Sequence, residues 1–254
     1  MKRFCDKFRE NESAIILDNQ HTPLHNQKSK GGEKMKKLVL IFGVILALSS
    51  VVSAEVLLTA NPMGAGKMGW LAAGRYDSNI GGNATVIGAG GFLGYGVTDK
   101  LDIYGKLGYG SYGNLPAGLT ANAIMLGLAA KYQLVAENGK DMPVSVAAVL
   151  GYQPSTVTAS FGGLSAQAVQ GDIGFGAIVS KVIVPWVPYG ALVFHSLTVN
   201  PGATTGSNLE IVAGTQMLLS KTSAVIGEVS LNSISSGGAS TSNTQISLGY
   251  TAKI

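Results

Sequence analysis

From Ala54 onward the chain alternates apolar and polar residues with a period of two, interrupted by Gly, Asn, Ser and Pro. That period marks strands with one face turned to an apolar phase. It predicts ten segments, at 66–76, 84–97, 100–112, 121–135, 143–153, 167–182, 186–199, 208–219, 222–233 and 243–254. In the third, Leu101, Ile103, Gly105, Leu107 and Tyr109 share one face; Asp102, Tyr104, Lys106, Gly108 and Gly110 share the other. In the fourth the apolar face is Ile124, Leu126, Leu128, Ala130, Tyr132 and Leu134. In the last it is Ile246, Leu248, Tyr250, Ala252 and Ile254. The seventh reads both ways, with Leu192 and Phe194 against Val193 and Leu197.

The links between segments alternate. Short or charged turns (Val97–Asp102, Ala136–Pro143, Val182–Val187, Ser220–Thr222) are expected at one end. Longer loops rich in Gly, Ser, Thr and Asn (Asp77–Asn83, Gly113–Thr120, Pro154–Ala166, Asn200–Ser207, Ser233–Asn243) are expected at the other. An even number of antiparallel strands joined in this way describes an up-and-down barrel. Segments of 11–16 residues exceed ordinary globular strands and suit a tilted membrane crossing. Aromatics fall toward the ends: Trp70, Tyr95, Tyr132, Trp186, Tyr189 and Tyr250 on the short-turn side, and Tyr76, Tyr109 and Tyr152 on the other. Such girdles mark the two interfaces of a membrane barrel. An eight-strand barrel with a separate N-terminal hairpin is the nearest alternative. A soluble secreted β-protein or adhesin is a more distant one.

Upstream, Met35 opens a stretch with a basic pair (Lys36, Lys37), an apolar run from Leu38 to Leu48, and a small-residue exit ending at Ala54. This is the three-part form of a secretory signal peptide, with cleavage between Ala54 and Glu55. Residues 1–34 are polar and aperiodic, and are expected to be disordered or to precede the true start at Met35. The leader changes how the composition reads. Of 18 Lys+Arg and 14 Asp+Glu, residues 1–54 hold nine and five; residues 55–254 hold nine of each. The net charge of +4 therefore resides in the leader, and a basic nucleic-acid footprint is absent from the remainder. Residues 55–254 contain no Cys and one His, His195, which excludes disulfides, thiol chemistry and multi-histidine metal sites there. No cofactor is expected.

The turn Tyr95-Gly-Val-Thr-Asp-Lys-Leu-Asp-Ile-Tyr104 and the ending Ser247-Leu-Gly-Tyr-Thr-Ala-Lys-Ile254, together with the leader, resemble bacterial outer-membrane β-barrel proteins of the small, OmpA-like type. The resemblance implies residence in the outer membrane. It also implies outer-membrane lipids, periplasmic chaperones and the barrel-insertion machinery as partners. Ser247, Gly249, Ala252 and Ile254 fill the positions of that family's C-terminal assembly signal. Ala252 and Ile254 stand where the family prefers aromatics, which implies weaker recognition by the insertion machinery.

Candidate chemistry is sparse. G-x-G-x-x-G occurs at Gly64–Gly69 and Gly108–Gly113, but neither is followed by a helix, so neither reads as a dinucleotide site. Asn83-Ala84-Thr85 matches a glycosylation acceptor and carries no weight in a bacterial chain. His195 beside Ser196 suggests a lipid- or peptide-hydrolysing barrel enzyme. Neighbours in a strand point to opposite faces, however, and the strand holds no acid to orient the imidazole. His195 is therefore expected as an interfacial residue, and no enzymatic activity is expected. Arg75, Lys106, Lys131, Asp102, Asp172, Glu210 and Glu228 fall on polar faces and are expected to line the lumen. Lys106 and Glu228, at similar depth and four strands apart, are expected to meet as a central charge pair. The expected function is an envelope scaffold, a small-solute channel or a ligand-binding barrel, with both termini periplasmic. Asp99, Lys100, Glu137, Lys140, Asp141, Lys181, Lys221 and Lys253 all gather at that end.

Overall fold

The computed structural model describes residues 59–80, 83–138, 141–200, 204–236 and 239–254. Ten strands form: β1 (Met68–Ile80), β2 (Ala84–Gly96), β3 (Leu101–Gly113), β4 (Leu119–Val135), β5 (Ser145–Phe161), β6 (Leu164–Ser180), β7 (Trp186–Asn200), β8 (Thr204–Leu218), β9 (Ser223–Ser236) and β10 (Ala239–Lys253). Each pairs antiparallel with its sequence neighbours, and β1 closes on β10 with Trp70 opposite Ala252. The result is an up-and-down barrel with no free edge. The eight-strand alternative is thereby excluded. The upstream segment 1–34, the leader 35–54 and the Ala54–Glu55 junction lie outside the described residues.

The alternation places its two faces in the inverse of a soluble protein. Leu107, Leu128 and Leu248 point outward and are 61–70% exposed, whereas Asp102, His195 and Glu210 point inward and are fully buried. A barrel with apolar walls and a polar interior is what a bilayer stabilises. The outward apolar residues form a continuous band. It runs from Ile87 to Tyr95 on β2, Ile124 to Leu134 on β4, Trp186 to Phe194 on β7 and Ile246 to Ile254 on β10. Nine to eleven residues per strand, tilted as barrel strands are, give a height of roughly 20–25 Å. Trp70, Tyr95, Tyr132, Trp186 and Tyr250 border this band at the end carrying the termini, and the Trp70 and Tyr250 rings meet at 5.5 Å. Tyr189, expected among them, instead points into the lumen and is buried.

The strands continue past the band at the end away from the termini. There the outward positions change to Ser78, Thr85, Ser111, Asn122, Thr156, Ser196, Ser207, Ser233 and Thr244. The expected long loops are absent for this reason. Thr156, Thr158, Ser160, Ser165 and Gln167 belong to β5 and β6, and the turn between those strands is only Gly162–Gly163. Both glycines have positive φ, +57° and +80°, as a two-residue type I′ hairpin requires. The remaining connections at this end span at most 114–118, and the longest link, 136–144, lies at the terminal end instead.

Candidate functional site: the barrel lumen

Three layers fill the interior. At the far end, Ala84, Val86, Tyr112, Leu119, Ala121, Ala123, Val157, Ala159 and Ala168 form an apolar cluster contributed by β2–β6. Nearer the termini a second cluster is built around Leu71, Phe92, Ile178, Tyr189, Val193, Val212 and Ile226. Between and beside them lies a polar belt. Large side chains fit because glycines stand opposite them: a Cβ on Gly174 would lie 3.0 Å from His195, and one on Gly88 would lie 3.3 Å from Arg75 Cγ. A Cβ on Gly214 would collide with the Tyr189 ring. The glycine richness of the sequence is thus partly lumen packing.

The charges are arranged in short-range groups. Arg75 Nη2 lies 3.1 Å from Asp77 Oδ2 on the same face of β1. Lys131 Nζ lies 3.2 Å from Asp102 Oδ2, and Tyr104 donates its hydroxyl to the same carboxylate at 2.9 Å. Lys106 faces inward, half-buried, with Nζ 4.9 Å above the Phe92 ring. Glu228 is inward and buried, and accepts the Tyr189 hydroxyl at 2.8 Å. Both members of the expected central pair therefore face the lumen, as alternation requires.

His195 departs from expectation. It is not interfacial but fully buried. Its Nδ1 lies 3.1 Å from both oxygens of Asp172 on β6, and its Nε2 lies 3.2 Å from Glu210 Oε2 on β8. Ser196 points outward, as the strand period demands. The orienting acids come from the two flanking strands. The registers Gly174↔His195 and His195↔Asn208 set Asp172 and Glu210 on its diagonals. Both ring nitrogens thus lie within hydrogen-bond distance of a buried carboxylate.

The alternation gives residues 59–65 no element and starts the first strand at 66, yet β1 begins at Met68 and residues 59–66 cross the terminal mouth of the barrel. Lys131 Nζ donates to Thr59 O at 3.0 Å and to Asn61 O at 2.7 Å. The Ala60 amide donates to Ser180 Oγ and the Met63 amide to the Asp102 carboxylate, each at 3.1 Å. Ser145 Oγ donates to Asn61 Oδ1 at 2.8 Å. At the end of β2 the Gly66 amide donates to Gly96 O at 2.8 Å and the Gly96 amide donates to Lys67 O at 2.9 Å, and only glycine at 96 leaves room for the Gly64 carbonyl. A cavity of about 300 Å³ remains beside the segment, bounded by Leu71, Phe92, Val187, Gln216 and Leu218.

Of the assembly-signal residues, Ser247 is buried and accepts from Gln245 Nε2 at 3.2 Å, while Ile254 is exposed. Gly249 lies at the β1–β10 seam, where a Cβ would stand 3.1 Å from both Ala72 O and Ala73 Cβ. Ala252 lies opposite Trp70 across that seam.

No family model and no curated protein matches the chain. Solved structures with similar folds exist. The outer membrane protease OmpT from Escherichia coli is 13% identical, with a TM-score of 0.43, covering 74% of this chain and 95% of that one. The translocator domain of the autotransporter NalP from Neisseria meningitidis is 11% identical, with a TM-score of 0.46, covering 87% and 96%. The N-terminal β-barrel domain of Pseudomonas aeruginosa OprF is 13% identical, with a TM-score of 0.38, covering 75% and 99%. These neighbours are bacterial outer-membrane β-barrels. The strand number and closure described above are read from this chain's own register.

Proposed function

We propose that this chain is an integral outer-membrane barrel whose lumen is filled, acting as an envelope scaffold rather than as an open solute channel. The observation that carries the reading is the interior: its charged side chains are almost all buried and held in short-range groups, with an apolar cluster at one end and residues 59–66 across the other. Exposed apolar residues in a band of bilayer height support the membrane assignment. The charges outside the lumen, among the described residues, are Lys67, Asp99, Lys100, Glu137, Asp141, Lys181, Lys221 and Lys253, all at the terminal end. With the termini they support a periplasmic assignment for that end. Outer-membrane lipids are then the surrounding partner. Periplasmic chaperones and the insertion machinery deliver the barrel, reading Ser247, Gly249, Ala252 and Ile254.

An enzymatic role is not part of this proposal. A hydrolase built on His195 needs a free ring nitrogen, and both are engaged by carboxylates. Cell fractionation with epitope tags tests the assignment. A tag at Gly237 is expected to be reached on intact cells, and a tag at Gly139 is not. The reverse labelling overturns the orientation, and recovery in the soluble fraction overturns the membrane reading.

A further inference from the structure

The cavity at the terminal mouth joins an apolar floor to a cationic rim. Its walls include Leu71, Phe92, Val187 and Ala224, all buried, and Leu218, half-buried. Met63 of the crossing segment closes one edge, where Gly69 and Gly94 leave room for its thioether. A methionine edge adapts to apolar guests of different shape. The void, about 300 Å³, equals about ten water molecules at roughly 30 Å³ each. Apolar walls give such water few partners, so an apolar guest is favoured over it.

The rim carries one sign of charge. Lys221, in the β8–β9 turn, and Lys253, at the end of β10, both line the cavity and are both exposed. The Lys253 amide donates to Thr222 O at 2.8 Å, which sets the two lysine-bearing segments side by side. Lys131, the third lysine lining the cavity, is already held by Asp102 and by the carbonyls of Thr59 and Asn61. No Asp or Glu is among the described residues that line it. Two acids of this end are engaged by backbone: Asp99 accepts the Ala65 amide at 3.1 Å, and Glu137 the Val182 amide at 2.9 Å. Floor, crossing segment and lysine rim therefore bound a single volume that is apolar below and positive at its opening.

We propose that the terminal mouth binds one single-tailed anionic amphiphile, a medium-chain carboxylate, with its tail on the Leu71–Phe92–Val187–Leu218 floor and its head between Lys221 and Lys253. Each half of the site recognises one half of the guest. A small hydrophilic anion gains no apolar burial. A neutral tail of the same length makes no charge-assisted bond to the lysines. The guest enters and leaves by the terminal mouth without crossing the barrel, so the site is compatible with a filled lumen and goes beyond the scaffold role. Orientation of the barrel decides only the compartment from which the guest comes.

The test is isothermal titration calorimetry of the full protein in nanodiscs, with empty nanodiscs as the blank, against octanoate, octanol and acetate. Octanoate is expected to bind saturably at one equivalent per barrel, octanol at least about tenfold more weakly, and acetate not at all. The double variant Lys221→Ser with Lys253→Ser changes only exposed side chains and is expected to raise the octanoate Kd about tenfold or more. Gln216→Trp places an indole in the cavity and is expected to abolish binding. Heat-dependent gel migration verifies that each variant is folded, and the lysine variant decides alone if the Trp variant is not. No saturable heat above the blank overturns the proposal, as does equal binding of octanol or an unchanged Kd in the lysine variant. Octanoate binding seen only after residues 55–58 are removed would assign the cavity to the chain's own Glu55–Leu58 and overturn it as well.

Discussion

His195 concentrates the chemistry of the lumen in one side chain. Replacing it with Ala removes the imidazole that partners both Asp172 and Glu210 and leaves two buried carboxyl groups without it. Breaking a buried pair from one side costs about 3–5 kcal/mol. His195→Ala is expected to lose stability on that scale in urea unfolding, and the triple change with Asp172→Asn and Glu210→Gln to recover most of it. Equal stability of His195→Ala and the native protein would show that the triad is not a structural unit. The sequence identified the residues but not the triad. Asp172 and Glu210 lie 23 and 15 residues from His195, so a search along one strand finds no partner. Only the hairpin registers on both sides bring the three together. Lys131 was legible as an inward charge, and its grip on Thr59 and Asn61 was not, because residues 59–66 have no period to read.

At the scale of elements, the alternation located the strands well and their far ends poorly. Apolar–polar contrast exists only where the outward face meets the membrane band. Beyond Tyr152 and Ile173 the outward residues become Pro154, Thr156, Thr158 and Ser160 on β5 and Gly171, Val169, Gln167 and Ser165 on β6, the contrast weakens, and strand reads as loop. The seventh segment was ambiguous because Val193 and Leu197 supply apolar lumen contacts alongside His195. The glycine positions test the packing that alternation cannot show. Gly214→Leu drives a side chain into Tyr189, which bonds Glu228; overpacking of this kind costs about 1–3 kcal/mol. Thermal melting is expected to fall accordingly, whereas Gly105→Leu, where a Cβ meets nothing within 4 Å, is expected to change it little.

For the whole molecule, closure is a shared property of three layers. Residues 59–66 seal only the terminal mouth, while the far cluster of Ala84, Val86, Tyr112, Leu119 and Val157 stands independently on β2–β6. Deleting 59–66 is therefore expected to leave the barrel non-conducting, and also to lower stability by removing the Thr59 and Asn61 carbonyls from Lys131 and the Met63 amide from Asp102, as heat-dependent gel migration would report. Barrel closure was legible from the even strand count. The filled lumen was legible only in part, because inward charges in a small barrel are expected to pair but their partners do not show along a chain. Single-channel recording in planar bilayers tests the central claim most directly. The native protein is expected to show no steady conductance, and Lys106→Ala, which removes an inward cation, to show either openings or a destabilised barrel. A large, steady conductance in the native protein, unchanged in Lys106→Ala, would contradict a filled barrel and establish an open channel.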